Sequence, residues 1–481
     1  MNVRALVKIL GGQCVLLGLV FLAPTAFSYL DRDNYSGVFL AISIGCLVIG
    51  ALMLLSQRNF RAELDARTSL ALVTLAWVLA GVVGALPFYL SGVLPSFIDA
   101  LFESISGFTG TGASVIRDVE SVDRGLLLWR SLSQWVGGMG IIVFFVALLP
   151  ALGLGGVQLF KAEVAGPQKD RLTPRVTETA RKLWLLYVAF TVALTLALFQ
   201  AGMPLFDAIN HAFTTLATGG FSIKNNGIAF YNNAAIDYLI AAFMLVGAIN
   251  FGLHYRFLVL KDIRAFADTE LRWFFAIIAG ATLAIAAVVH GAVYQAPQEA
   301  LRHAFFTVAS VASSTGYTNH DFVDWPPLTH VVIVLLMVMG GMSGSTAGGI
   351  KCIRIVAAFK QLNRQLRQVV HPKAIIPIKA NNHIVPESVI DAIWALIFLY
   401  LLVFTMSALI LTSQGLDLVS ATTGSFSALS NIGPGLGDLG PMANYAGLPD
   451  VSKVTLIVCM LLGRLEFFTV LVLFTPTYWR R

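Results

Sequence analysis

Four short glycine-bearing loops recur at near-constant spacing along this chain, centred on Gly112, Gly219, Gly316 and Gly433 and separated by 107, 97 and 117 residues. Each follows a short, moderately apolar segment and precedes a long hydrophobic one: Thr111-Gly112-Ala113, Thr218-Gly219-Gly220, Thr315-Gly316-Tyr317 and Ile432-Gly433-Pro434. The chain therefore reads as one unit written four times. Four such loops gathered around an axis ring a narrow passage with backbone carbonyls.

The solvent for this repeat follows from composition. Hydrophobic residues make up 57% of the 481 positions and charged residues 12%, whereas a soluble domain carries about 25% charge. Runs long enough to cross about 30 Å of hydrocarbon lie near 9–30, 36–56, 69–91, 125–150, 183–202, 234–257, 272–295, 329–359, 388–412 and 453–475, so ten spans are expected. The shorter segments 96–108, 205–216, 299–313 and 416–428 suit re-entrant half-helices buried in protein rather than facing lipid. A second hydrophobic run follows the first closely, and Ala23-Pro24-Thr25 is a poor cleavage signature, so the first is read as a retained span. Cys14, Cys46, Cys352 and Cys459 lack metal-ligand spacing and read as small buried hydrophobes.

Lys and Arg concentrate in the segments that ten spans place on one side, and acidic residues dominate the other. This bias puts both termini in the cytoplasm and the four loops outside. The pI of 9.1 thus reflects topology, not nucleic-acid binding.

After a two-span hairpin, 1–57, the remainder divides into units at 69–160, 183–265, 272–365 and 388–481. The half-helix starts resemble one another: Ser96-Phe97-Ile98-Asp99-Ala100-Leu101-Phe102, Pro204-Leu205-Phe206-Asp207-Ala208-Ile209 and Gln298-Glu299-Ala300-Leu301, with a weaker fourth, Gly415-Leu416-Asp417-Leu418-Val419. Acidic residues in the first turn complement the positive end of the helix dipole, and the negative end then points to mid-membrane, where a cation is favoured. Repeats of the same topology imply a pore, whereas inverted repeats commonly build an alternating-access transporter. The expected fold is an all-α polytopic membrane protein: a two-span N-terminal hairpin plus four pseudo-fourfold repeats of span, pore helix, filter loop and span around a central pore.

A dehydrated cation needs its water oxygens replaced, and rings of backbone carbonyls do this without net charge. Glycine tolerates the backbone angles that turn successive carbonyls inward. The candidate filter residues are Thr111, Gly112, Thr218, Gly219, Thr315, Gly316, Ile432 and Gly433, the cation being held by their backbone carbonyls. The alternative for such glycines is close helix contact. No acidic ring lies within the four signatures, which favours a monovalent cation over calcium.

The third unit carries Gly340-Gly341-Met342-Ser343-Gly344-Ser345-Thr346-Ala347-Gly348-Gly349-Ile350-Lys351. Each glycine there gives up roughly 1 kcal/mol of helix propensity relative to Ala, so a broken span with a loop below the filter is expected, able to occlude ions or move aside. Its alternative is a small-residue helix crossing. Arg464 lies deep in the last span, where an arginine faces a polar interior. Below the filter it either repels cations or pairs with carbonyls of the broken segment, and the alternative is that Glu466 neutralises it. Arg130, with Gln134 nearby, reads as an outer anchor. The basic stretches 161–182 and 351–379, with six and seven Lys+Arg, either dock a soluble subunit or set topology. His371-Pro372 and the tail Tyr478-Trp479-Arg480-Arg481 read as interfacial anchors to membrane lipid. No nucleotide-binding motif is present in the sequence.

With Ser106-Gly107-Phe108-Thr109-Gly110-Thr111-Gly112-Ala113-Ser114, the Ala217–Ser222 stretch, Ser314–Tyr317, Gly340–Lys351 and Arg464 in a Gly-Arg-Leu-Glu context, the whole chain resembles the TrkH/KtrB family of microbial potassium uptake proteins, in particular the bacterial TrkH branch. The resemblance implies a potassium pore (K+ being the transported substrate), a homodimer, and an intramembrane gate at Gly340, Gly341, Gly344, Ser345, Thr346, Gly348 and Gly349 with Arg464. It also implies multi-pass placement in the bacterial inner membrane and a cytosolic ring of TrkA-like nucleotide-binding regulatory subunits, any nucleotide acting through that ring and not on this chain. The fourth loop, Asn431-Ile432-Gly433-Pro434, lacks Thr-Gly, so fourfold symmetry is approximate. Proton- or sodium-coupled potassium symport is the alternative to a channel-like pore; it needs a second site, and no suited set of buried carboxylates stands out. No enzymatic activity is expected.

Overall fold

The computed structural model describes residues 2–60, 65–147, 174–381 and 383–480. The end of the expected 125–150 span, the end of the first repeat and most of the basic 161–182 segment lie outside the described residues.

Among the described residues the regular structure is helical apart from a two-stranded antiparallel ribbon, Lys379–Ala380 with His383–Ile384. The N-terminal hairpin is α1 (Val3–Val20), continued by α2 (Leu22–Asp31), against α3 (Ser36–Ser56). Lipid offers no hydrophobic drive for helix pairing, so small residues that admit close backbones hold such hairpins. A Cβ on Gly50 would lie 2.7 Å from the Gly11 carbonyl oxygen and one on Gly18 3.0 Å from that of Ser43. The Ser43 hydroxyl donates to the Gly18 carbonyl at 2.7 Å. Phe21 then stacks on Trp129 at 4.2 Å, seating the hairpin on the first repeat.

Each repeat opens with a long helix: α4 (Ala66–Leu90), α7 (Pro174–Gln200), α11 (Thr269–Val289) and α15 (Glu387–Ser413). Each continues into a half-helix: α5 (Phe97–Thr109), α8 (Leu205–Leu216), α12 (Pro297–Ala312) and α16 (Leu418–Ser430). Twelve to sixteen residues reach about 18–24 Å, too short to cross. The fourth starts at Leu418 because Asp417 is its N-cap, its carboxylate accepting from the Val419 and Ser420 amides.

The second helices of the repeats differ. In the first repeat α6 is unbroken over its described residues, Arg124–Ala147. In the second, α9 (Ala234–Ala248) breaks and continues as α10 (Phe251–Leu258) at 101°, and in the fourth α17 (Asp450–Leu465) turns by 112° into the helical stretch 467–474 that begins with α18 (Phe467–Leu471). The third ends early, at α13 (Pro327–Met339), and resumes as α14 (Cys352–Val370). Among the described residues six helices are long and apolar enough to cross a membrane, or up to eight with each bent pair as one span. Of the ten expected spans, 234–257 and 453–475 are therefore not straight. The first bends at Ile249-Asn250, where the Asn250 side chain caps the Gly252 amide at 2.7 Å. The second bends at Glu466, a non-glycine residue held at φ 61° with its carboxylate 2.6 Å from Arg354. The tail is not loose: Tyr478 is buried and its hydroxyl donates to the Arg67 carbonyl at 2.7 Å.

Gly50→Leu is expected to lower the melting temperature in detergent, since overpacking costs about 1–3 kcal/mol, while leaving ion discrimination unchanged. Thermal size-exclusion chromatography beside a flux assay reads both; a shift in discrimination would mean that the hairpin reaches the pore.

Candidate functional site

Each half-helix ends in the same hydrogen-bonded turn. The amides of Thr111, Gly219, Thr315 and Ile432 donate to the carbonyls five residues back, Ser106, Thr214, Ser310 and Ser427, at 2.8–2.9 Å. The residue before each is left-handed: Gly110 (φ 67°), Thr218 (51°), Ser314 (54°) and Asn431 (53°). This is the Schellman closure that satisfies carbonyls at a helix C-terminus. It fixes the register of the four loops without reference to sequence.

That register closes a ring. A Cβ on Gly112 would sit 2.2 Å from the Gly219 carbonyl oxygen and one on Gly220 1.8 Å from that of Thr315. One on Gly316 would sit 1.8 Å from the Ile432 oxygen, and one on Gly433 2.7 Å from the Thr111 oxygen. Each loop's ring glycine, Gly112, Gly220, Gly316 or Gly433, thus faces the carbonyl of the residue just before the ring glycine of the next loop, and the fourth returns to the first. All four glycines have positive φ, from 73° to 106°, and line one cavity of about 180 Å³.

The structure therefore brings together Thr111, Gly112, Gly219, Thr315, Gly316, Ile432 and Gly433, and moves the second loop by one residue. Gly219 and Gly220 are the ring pair, whereas Thr218 sits one step back, at the position of Gly110, its hydroxyl 3.2 Å from that of Thr346. A Thr-Gly pair is a weaker guide than the distance from the helix end, which in hindsight marks Gly220. Thr111 and Thr315 turn their hydroxyls back onto Thr109 (2.8 Å) and Ser313 (2.7 Å).

The loops are braced from behind. Arg130 is not an outer anchor: it is buried, its Nε 2.6 Å from Glu103, its Nη1 donating to the Ser222 carbonyl at 2.7 Å, and its guanidinium over the Phe221 ring. Glu103 also accepts from the Val115 amide at 2.9 Å. The Tyr445 hydroxyl donates to the Gly433 carbonyl at 2.6 Å. Close approach of the second helices is set by Gly137 and Gly463, where a Cβ would lie 1.9 Å from the Phe108 oxygen and 2.0 Å from the Leu429 oxygen.

Residues 340–351 form a non-helical loop, buried almost throughout. The Thr346 hydroxyl donates between the Leu216 and Gly247 carbonyls (3.0 and 2.9 Å), and the Gly348 amide donates to the Ser314 hydroxyl at 2.6 Å. A Cβ on Gly348 would lie 2.1 Å from the Ser430 oxygen, and Gly340 packs backbone to backbone against Gly348 and Gly349. Gly341 accepts from the Cys352 amide, Gly344 from the Phe251 amide, and the Ser345 hydroxyl donates to the Met342 carbonyl. One Glu270 oxygen accepts from both the Ser343 and Ile353 amides at 2.9 Å, clamping the loop's two ends. Sequence reading missed Glu270; an acid at the inner end of a span was its signal.

Arg464 reaches this loop. Its Nη1 donates to the Thr346 carbonyl at 2.6 Å, and its Nη2 lies 3.7 Å from where a Cβ on Gly110 would stand. Glu466 does not neutralise it, because Glu466 pairs with Arg354; among the described residues no ion pair of Arg464 is found. Arg464 and residues 347–351 line a cavity of about 20 Å³, room for roughly one water. The expected loop and arginine are thus packed together against the inner ends of the half-helices.

Comparison with known proteins accords with this geometry. The model of the TrkH family, described as cation transport protein, matches residues 36–481. The chain belongs to the TrkH family. It is 40% identical over 485 residues to the Trk system potassium uptake protein TrkH of Salmonella typhimurium, covering all of both chains. It is 34% identical over 483 residues to TrkG of Escherichia coli, covering 100% of this chain and 99% of that one. The crystal structure of the potassium transporter TrkH from Vibrio parahaemolyticus superimposes with a TM-score of 0.92 at 36% identity, each chain covered completely. Membership makes the chain a multi-pass membrane transporter, not an enzyme.

Gly220→Ala is expected to reduce cation flux as severely as Gly316→Ala, by about tenfold or more, because each forces a left-handed residue against a carbonyl at a cost of at least ~1–3 kcal/mol. Thr218→Ser, which keeps the hydroxyl, should stay near wild type. A tolerated Gly220→Ala in a vesicle flux assay would return the register to Thr218-Gly219.

Proposed function

We propose that this protein conducts potassium into the cell through a pore whose filter is the ring built on Thr111-Gly112, Gly219-Gly220, Thr315-Gly316 and Ile432-Gly433. The observation that carries the reading is the cyclic approach of each ring glycine to the next loop's carbonyl, which closes four non-identical sequences around one cavity. Carbonyl dipoles and the negative ends of four half-helices favour a cation without fixed charge. The inside-negative potential supplies about 2.3 kcal/mol per charge per 100 mV, enough to drive entry without hydrolysis. The relatives named as potassium uptake proteins, matched end to end, support the same substrate.

The 340–351 loop and Arg464 act as the gate. The loop bonds to the inner ends of the second and third half-helices and packs on that of the fourth, while Arg464 adds a positive charge beside the first. Opening requires these bonds to release together. The protein works as a homodimer, and a cytosolic nucleotide-binding ring of TrkA-like subunits, docking on the basic 351–379 and 161–182 stretches, drives that release.

Purified protein in liposomes with an inside-negative potential is expected to take up potassium and rubidium ahead of sodium. Arg464→Ala and deletion of residues 344–348 should each raise flux, the former by about tenfold for a barrier lowered by ~1.4 kcal/mol. Unchanged flux in folded protein would remove the gate, and uptake that requires an opposing proton or sodium gradient would replace conduction by symport.

A further inference from the structure

The four second helices carry one aligned position that breaks their likeness. Counting three residues back from Gly137, Gly247, Gly340 and Gly463 gives Gln134, Met244, Met337 and Met460. All four are buried, Gln134 and the three methionines alike at 0% exposure. Gln and Met have nearly the same length and volume, so packing alone does not distinguish them. What differs is hydrogen bonding.

Gln134 spans the second filter loop. Its Nε2 donates to the Gly219 carbonyl at 2.6 Å and its Oε1 accepts from the Phe221 amide at 3.1 Å. Only one orientation of the amide satisfies both partners, since a carbonyl cannot donate and an N–H cannot accept. Gly219 is a glycine for the same reason: a Cβ there would lie 2.4 Å from the Gln134 amide carbon. One turn earlier on the same face of α6, Arg130 holds the Ser222 carbonyl, so a single helix grips residues 219, 221 and 222. Of the four ring carbonyls, at residues 111, 219, 315 and 432, that of Gly219 is the one drawn to a side-chain amide among the described residues.

We propose that Gln134 is a positioning residue that sets cation discrimination by tethering the Gly219 carbonyl, so that one quadrant of the ring presents a weaker, fixed dipole. This inference rests on the pore reading above. A donor on one lone pair draws electron density from the carbonyl and limits its swing toward the axis. Releasing it lets the oxygen move inward and strengthens the local field, which favours the smaller sodium ion over potassium.

The test compares Gln134→Met, which copies the other three helices at constant volume, with Gln134→Leu, which likewise removes both the donor to Gly219 and the acceptor for Phe221 without adding a charge. Met244→Leu is the control at an equally buried aligned position. Each is purified, checked for monodispersity, and assayed in liposomes for potassium, rubidium and sodium flux. Both Gln134 variants are expected to lower the potassium-to-sodium ratio by about threefold to tenfold, the range of one net hydrogen bond, while Met244→Leu leaves it unchanged. Ratios equal to wild type in both variants, with or without lost thermal stability, would make Gln134 a packing residue and overturn the proposal. A wild-type protein that moves no potassium would instead overturn the pore reading itself.

Discussion

The fold depends on one close approach repeated four times: a left-handed glycine set against the carbonyl of the neighbouring loop. At 1.8–2.7 Å from a notional Cβ, no side chain fits, and the backbone itself becomes the wall of the passage. Everything around the ring serves to hold its carbonyls in place. The half-helices end in Schellman turns that fix where each loop leaves, and Gly137 and Gly463 let the second helices press on the last carbonyls of their half-helices. Glu103–Arg130, Tyr445 and Gln134 then tie the outgoing strands. A polar backbone stripped of water costs several kcal/mol per unsatisfied group, so this scaffold of donors is a condition of the ring and not an embellishment.

The same accounting explains the broken helices below. When α9 stops at Ala248, it frees carbonyls within the membrane, where only protein can satisfy them. The 340–351 loop does so: the Met342 amide donates to Ala248, the Thr346 amide and hydroxyl to Gly247, and the Phe251 amide returns a bond to Gly344. The break in the second repeat and the break in the third are thus one structure. Either alone would leave backbone groups orphaned, so a movement that displaces the loop must also re-satisfy the end of α9.

Much of this was legible in the sequence because it is written in glycine and in length. Segments too short to cross gave the half-helices nearly to the residue, and five glycines in ten positions gave the loop. The register of the second loop was not legible, because Thr218-Gly219 imitates Thr111-Gly112 and Thr315-Gly316 while the turn geometry selects Gly219-Gly220. The bends at Asn250 and Glu466 were hidden for another reason. Both spans are apolar enough on average to pass as one run despite Asn250, Arg464 and Glu466, and hydropathy records composition, not the partner that captures the freed carbonyls. Arg130 was misread as an anchor because its carboxylate, Glu103, lies 27 residues away on a half-helix, a contact visible only once that helix is folded back.

Arg464 shows how the two levels of the site are coupled. A buried cation without a carboxylate is costly, yet this one lies beside Gly110 at the end of the first half-helix and donates to the Thr346 carbonyl. The negative ends of the half-helices supply what a counter-ion otherwise would. That is the same field that draws a cation inward from the ring. In the pore proposed above, a cation leaving the ring and the guanidinium would therefore compete for one source of stabilisation. Under that proposal the field would not hold both at full strength, and the arginine would raise the energy of an ion at the ring's inner side even before the loop is counted as a steric block. Glu466 bears on this by its choice of partner: it pairs with Arg354, so among the described residues the Thr346 carbonyl and the half-helix ends, and not a carboxylate, offset the Arg464 charge.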